Sequence, residues 1–253
     1  MRIDLNSDLG EGFGPWIMGD DRAMLRVVSS ANIACGFHAG DPEGLLEVLR
    51  QVKAEGVAAG AHVGYRDLVG FGRRNMQVPY EALLCDVIYQ IGALQVLARV
   101  AGVEIRYVKP HGALYNTISK GGSQAEAVIA GIRAVDPDLT LVALAGSPIV
   151  EMSRASGLAV VEEMFADRAY RADGTLVDRR EKGAVLHDSA EITARVLNYV
   201  ETGKMRTIEG EEIAISAQSV CIHGDTPAAM VIAQNLHRAL SARGVAVKSF
   251  MDA

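Results

Sequence analysis

The chain predicts a single β/α barrel. Three observations point to it: six clusters of reactive polar residues each follow a short apolar run, β-like runs alternate with longer segments of helical period, and no Ser/Gly/Pro-rich linker divides the 253 residues. That alternation is the signature of repeated βα units around a mainly parallel sheet. An open doubly wound sheet binds its ligand at one topological switch point and uses few strand ends, whereas a barrel brings every C-terminal strand end to one rim. Six strand ends bearing acids, bases or thiols favour the barrel, with room for an irregular strand number. The length suits one domain over residues 1–253, since single barrels commonly run to about 250 residues.

In chain order, the apolar run 2–5 leads into Asn6, Asp8 and Glu11, run 31–34 into Cys35, His38 and Asp41, and run 57–61 into His62. Run 105–108 leads into Lys109, His111 and Asn116, run 158–161 into Glu163, Asp167 and Arg168, and run 220–222 into His223 and Asp225. Four of the six histidines fall in this set. The clearest helix spans 79–101: Pro79 suits a first helical position, Leu83, Leu84, Val87, Ile88, Ile91, Leu94 and Leu97 form an apolar stripe, and Gly102 caps the end. A final helix follows Asp225 or Thr226 as N-cap, with Pro227 in its first turn and Gly244 beyond its last. Stretches 64–78 and 164–187 exceed a typical βα loop and are lid candidates on the site-bearing face. Residues 205–215, with Glu209-Gly210 in the middle, read as an inserted hairpin.

Apolar residues make up 49% and charged residues 22%, which is globular usage with enough apolar material for a sizeable core. The net charge of −6 with interspersed signs offers no basic face to neutralise a phosphate backbone, so no nucleic-acid partner is expected. Cys35, Cys85 and Cys221 include no C-x-x-C pair, which argues against a disulfide framework or zinc ribbon and for a reducing, cytoplasmic setting. No leader and no uninterrupted apolar stretch of about 18 residues suggests a membrane partner.

Asn6 and Asp8 alternate off the first strand and so face one side, followed by Glu11 in a Gly-rich turn that lets backbone approach a ligand. His38 lies in a Gly-bounded loop and not on an apolar face; Asp41 before Pro42 is explained by helix capping. Lys109 suits stabilisation of developing oxygen charge, and His62, His111 and His223 suit proton transfer near neutral pH. Asp8, His62 and His111 are candidate ligands of a divalent metal, although no tight spacing such as H-E-x-x-H supports one. Arg73, Arg74 and Arg168, together with Arg179 and Arg180, present forked donors for carboxylate or phosphate. Neither a phosphate loop nor a dinucleotide fingerprint occurs. His187 and His237 receive no role.

The motifs D-L-N-S-D-L-G-E-G-F-G at 4–14, N-I-A-C-G-F-H-A-G-D at 32–41, G-A-H at 60–62, G-F-G-R-R at 70–74, V-K-P-H-G-A-L-Y-N at 108–116, F-A-D-R-A-Y at 165–170 and I-H-G-D at 222–225 resemble the lactam-utilisation protein family, in its order and over nearly the whole chain. That family forms the A subunit of bacterial ATP-hydrolysing 5-oxoprolinase. The resemblance implies cleavage of the cyclic amide 5-oxo-L-proline to L-glutamate, with ATP as co-substrate and partner subunits B and C. It also implies an irregular seven-stranded β/α barrel akin to the glycoside hydrolase/deacetylase superfamily. The stretch after His62, V-G-Y-R-D, departs from the family pattern, which has Pro and Ser after the His and Pro before the Asp. The expected chemistry is phosphorylation of the lactam oxygen and then water attack. Asp8 or a histidine would activate the water, Lys109 would hold the oxyanion, and His111 or His223 would protonate the leaving nitrogen. Asn6, Glu11, His38, Arg73, Arg74, Asn116, Arg168 and Asp225 would contact substrate or phosphate. Two rivals are a stand-alone metal-dependent deacetylase or amidohydrolase using Asp8, His62 and His111, and a non-catalytic module that captures a small carboxylate.

Overall fold

The computed structural model describes residues 1–223 and 229–252. The elements are β1 (Arg2–Leu9), α1 (Asp21–Leu25), β2 (Ser30–Ala34), α2 (Pro42–Glu55), β3 (Ala58–His62), α3 (Tyr80–Ala101), β4 (Ile105–Val108), α4 (Gly112–Ile118), α5 (Ser123–Val135), β5 (Thr140–Leu144), α6 (Pro148–Ala155), β6 (Val160–Phe165), α7 (Ser189–Thr202), β7 (Lys204–Arg206), β8 (Glu212–Ala214), β9 (Ser219–Cys221), α8 (Ala229–Ala242) and β10 (Ala246–Val247). Strands β1, β2, β3, β4, β5, β6 and β9 pair in that order, all parallel, and β9 returns to β1 through Asp4↔Ser219, Leu5↔Val220 and Asn6↔Cys221. The result is a closed seven-stranded barrel. Below it, β10 adds to the start of β1 through Arg2↔Ala246 and Ile3↔Val247.

All six motif-bearing runs are barrel strands. The seventh, β5, is buried along its length and ends in Ala145-Gly146-Ser147, with no acid or base of its own. Two strands run further than their apolar runs. β1 continues to Leu9, so Asn6 and Asp8 lie inside it, and β6 starts at Val160 and continues to Phe165, so Glu163 is a strand residue. Closed sheets hide this extension, because inward positions there carry polar side chains and break the apolar signal.

Helix α3 packs the predicted stripe against α2 and α5, burying Leu83, Val87, Ile91 and Leu94 while Ile88 faces outward. Pro79 is the residue before its first turn and not a first-turn residue, and Gly102 closes it in the left-handed conformation (φ 74°). By length and composition α3 matches a membrane span, yet it buries the polar Asp86 and Gln90 against its own domain, as a helix flanking a barrel does. Asp41 caps α2 by accepting from Glu43 N (3.1 Å) and Gly44 N (3.0 Å). The hairpin is present: β7 and β8 pair antiparallel about Gly210 (φ 92°). Gly244 lies two residues beyond α8 in the left-handed conformation, while the predicted caps Asp225, Thr226 and Pro227 lie outside the described residues.

Both long loops fold over the barrel's C-terminal rim. In the first, Arg74 Nε donates to Asp67 Oδ1 (2.7 Å) and Gly72 O accepts from Ala113 N (2.9 Å). A Cβ on Gly72 would stand 2.7 Å from His111 Cδ2 and 2.8 Å from His38 Cβ, so only glycine lets this loop close on the histidines. In the second, buried Arg168 ties the segment together by donating to Val177 O (2.6 Å) and Ala184 O (3.3 Å).

Candidate active site

Period-two alternation places Asp4, Asn6 and Asp8 of β1 on one face, and barrel closure makes that face the interior. At its lower end Asp4 accepts from Ser29 Oγ (2.7 Å) and Ser30 Oγ (2.6 Å), and also from Ser219 Oγ. Burial outweighs these bonds and pushes its carboxyl up to about 6. One layer higher, Asn6 Nδ2 donates to Ser219 Oγ (2.6 Å) and Glu163 Oε2 (3.1 Å). Asn32 Nδ2 donates to both Asn6 Oδ1 (2.8 Å) and Asp8 Oδ1 (2.8 Å), and Asn32 Oδ1 accepts from the Tyr107 hydroxyl (2.9 Å). The Tyr107 ring fits only because residue 60 is glycine: a Cβ there would lie 2.1 Å from Tyr107 Cε2.

Lys109 crosses the top of this column. Its buried Nζ lies 3.1 Å from Asp8 Oδ1, 3.1 Å from Asn6 Oδ1, 3.3 Å from Glu163 Oε2 and 2.9 Å from Cys221 Sγ. Burial opposes the ammonium, but Asp8, Cys221 and Glu163 together hold it well above the ordinary lysine range. Burial likewise opposes the Asp8 carboxylate, and His62 and Lys109 overcome it, holding Asp8 well below the usual range. The pair is therefore ionised in the interior, each charge compensating the other.

Beside Asp8 lies a group of three imidazoles and a carboxylate. Glu11, His38, His62 and His111 are buried, and their nearest ligand atoms all lie within 4.8 Å of one another, a set able to hold a metal ion. His62 Nδ1 donates to Lys109 O (2.7 Å), and its Nε2 lies 3.4 Å from Asp8 Oδ2. His111 Nε2 donates to Phe71 O (2.8 Å), which leaves Nδ1 facing His62 Nε2 at 2.9 Å. His38 stacks on His111 with ring centroids 3.8 Å apart. Burial first, and the neighbouring imidazoles second, hold His38 and His111 well below the usual histidine range.

Across the mouth, His223 Nδ1 donates to Asp167, 3.0 Å from each oxygen, and its Nε2 accepts from Arg179 Nη2 (2.6 Å). A carboxylate fixes the tautomer, and Arg179 holds the other nitrogen at the wall of the pocket. The pocket is narrow. Asp8, Lys109, Tyr115 and Phe165 line it, with His62 and His111 on one side and His223, Arg168 and Arg179 on the other.

Asp8, His62, Lys109, His111 and His223 therefore surround one cleft, with Arg73, Asn116 and Arg168 on its walls and Asn6 one layer below. Arg74 is spent on Asp67 as a loop clip, Arg180 pairs with Asp178 in solvent, and Asp225 lies outside the described residues. Glu11 and His38 stand in the imidazole group beside the cleft. Sequence reading gave no role to Asn32, Glu163, Asp167, Tyr115 or Cys221. Asn32 and Glu163 are polar residues inside strands, and that inward-facing break was their signal. Arg179 sits in an irregular loop with no periodicity to reveal where it points.

A closed parallel barrel with buried charge pairs at the C-terminal end of its strands defines the chain as a β/α-barrel protein. The chain belongs to the LamB/YcsF family, whose model matches residues 3–253. It is 56% identical over 98% of its length, and 97% of the relative's, to the first of the 5-oxoprolinase A subunits of Agrobacterium fabrum. It is 58% identical to the 5-oxoprolinase A subunit of Paracidovorax citrulli, over 99% of this chain and 100% of the relative. The crystal structure of the lactam utilization protein from Thermus thermophilus superposes with a TM-score of 0.94 at 44% identity, covering 99% of this chain and 100% of that one.

Proposed function

We propose that this chain is the ring-opening component of an ATP-hydrolysing 5-oxoprolinase, converting the cyclic amide 5-oxo-L-proline to L-glutamate. The observation that carries the reading is Lys109 held in one buried cleft between Asp8 and Glu163, opposite the His223–Asp167 pair. Relatives named as A subunits of 5-oxoprolinase support the substrate class. Their designation as subunits supports a complex in which partners B and C supply the ATP-dependent phosphorylation, consistent with a chain that lacks a phosphate loop.

A lactam is a resonance-stabilised amide, and phosphorylation of its oxygen makes the ring carbon electrophilic. Water adds to that carbon and loses a proton to Asp8, a carboxylate on the wall of the cleft. The Lys109 ammonium stabilises negative charge as it develops on oxygen. The C–N bond then breaks and the nitrogen takes a proton, opening the ring to an acyl phosphate. A second water converts this to carboxylate and phosphate. His111 and His223 both line the cleft and are the two candidates for the proton donor. Arg73, Arg168 and Arg179 line the same cleft and supply donors for phosphate or carboxylate. The three cysteines are free thiols, which fits a cytoplasmic setting.

The test is glutamate released from 5-oxo-L-proline by the purified chain, with and without ATP and the B and C subunits. Release only in the complete mixture is expected. Absence of release from a folded, complete mixture contradicts the reading.

A further inference from the structure

His62 Nε2 and His111 Nδ1 face each other at 2.9 Å, and neither ring can supply the proton for that contact while neutral, since each has spent its N–H on a backbone carbonyl. Something positive belongs between them: a proton that makes one ring an imidazolium, or a metal ion. A proton needs only two nitrogens. Here Glu11 Oε1 also converges, at 3.3 Å from His38 Nε2, 3.4 Å from His111 Nδ1 and 4.0 Å from His62 Nε2. A tetrahedral ion bound at about 2.1 Å by nitrogen and oxygen ligands spaces those ligands about 3.4 Å apart. Four of the six separations run from 2.9 to 4.0 Å, around that value, and all lie within 4.8 Å.

We propose that Glu11, His38, His62 and His111 bind one divalent transition-metal ion of the zinc type, through one carboxylate oxygen and three imidazole nitrogens. Three imidazoles with one carboxylate favour zinc and its neighbours over magnesium or calcium, which take mainly oxygen ligands. The carbonyls of Lys109 and Phe71 serve as the outer hydrogen-bond partners that orient metal-binding histidines. They belong to the same loops that bear Lys109 and close over the rim, so metal binding and cleft assembly share a scaffold. Bound there, the ion supplies a Lewis acid beside Asp8. Asp8 itself stays outside the ligand set: its Oδ1 accepts from Lys109 and Asn32, and its carboxylate is not part of the group whose ligand atoms all lie within 4.8 Å of one another. This assignment goes beyond the lactam reading and stands on donor geometry alone.

The experiment uses the full chain, stripped with a chelator and titrated with zinc or cobalt. Elemental analysis is expected to show one zinc per chain, the melting temperature to rise on zinc addition, and the cobalt form to give the visible bands of a four-coordinate site. Glu11→Gln and His111→Ala are each expected to weaken zinc binding by more than about tenfold, with circular dichroism confirming the fold. A folded wild-type chain with neither stoichiometric metal nor a zinc-dependent melting shift overturns the site and assigns a shared proton in its place. Because these readouts ignore turnover, the two proposals fail separately. Zinc bound without lactam opening leaves the site standing, and lactam opening by metal-free chain leaves the function standing.

Discussion

Asp4 and Asp8 sit four residues apart on the same face of β1, both buried, and they end in opposite electrostatic states. Asp4 is surrounded by the hydroxyls of Ser29, Ser30 and Ser219, dipoles that do not repay the desolvation of a charge, and its carboxyl is pushed up to about 6. Asp8 meets the Lys109 ammonium and His62, full or latent charges, and is held well below the usual range. Burial alone therefore does not decide what a carboxylate does; the nature of its compensation does. One end of the strand favours a protonated carboxyl, the other a carboxylate that stays ionised.

The largest expected effect comes from breaking the upper end. Asp8→Asn removes a base acting on water and should lower kcat/KM of the reconstituted assembly by roughly 10²- to 10⁴-fold, measured as initial rates of glutamate release. Replacing Lys109 with Met strands two buried carboxylates, Asp8 and Glu163, and should cost about 3–5 kcal/mol in urea unfolding besides abolishing turnover. A loss within experimental error would mean that the ion pair is not desolvated.

The lower end should respond to pH and not to substrate. Folding raises the Asp4 pKa from 3.8 to about 6, so the folded state binds the extra proton in that window. The stability this provides is complete below the unfolded value and lost as pH rises through the folded one, a decline of about 3 kcal/mol across the window. Asp21, raised to about 6 by its own burial, adds to the wild-type slope. The difference between wild type and Asp4→Asn in urea midpoints at pH 4.5 and 7.5 isolates the Asp4 part, and parallel profiles for the two would refute it. Smallest is Tyr107→Phe, which removes the hydroxyl that orients Asn32 and should cost about 1–2 kcal/mol, with Asn32 still donating to Asp8.

The barrel was legible because strand ends announce themselves: a short β-branched run followed by histidine, lysine or acid recurs six times, and each run became a strand of the closed sheet. Asp8, His62, Lys109 and His111 were legible for the same reason, as side chains at one rim. Their convergence on one cleft was legible too, but the atom-to-atom contacts within it were not. Which atoms of His62 and His111 face each other depends on the carbonyls of Lys109 and Phe71, and no spacing in the chain encodes that. Asn32 falls inside a run read as apolar and Glu163 just beyond one, since a polar residue facing a barrel interior looks from sequence like an interruption of a strand. Arg74 illustrates the reverse: its forked donors suggested an anion, and Asp67 of the same loop takes them.

The most direct measurement is glutamate release by the reconstituted assembly carrying Asp8→Asn, set beside the same assembly carrying Asp4→Asn, with the melting temperature of each chain recorded in parallel. Turnover lost in the first with its fold intact, and kept in the second with an altered pH dependence of stability, is the predicted result. Full glutamate release from folded Asp8→Asn protein would contradict the assignment of the chemistry to the upper end of β1.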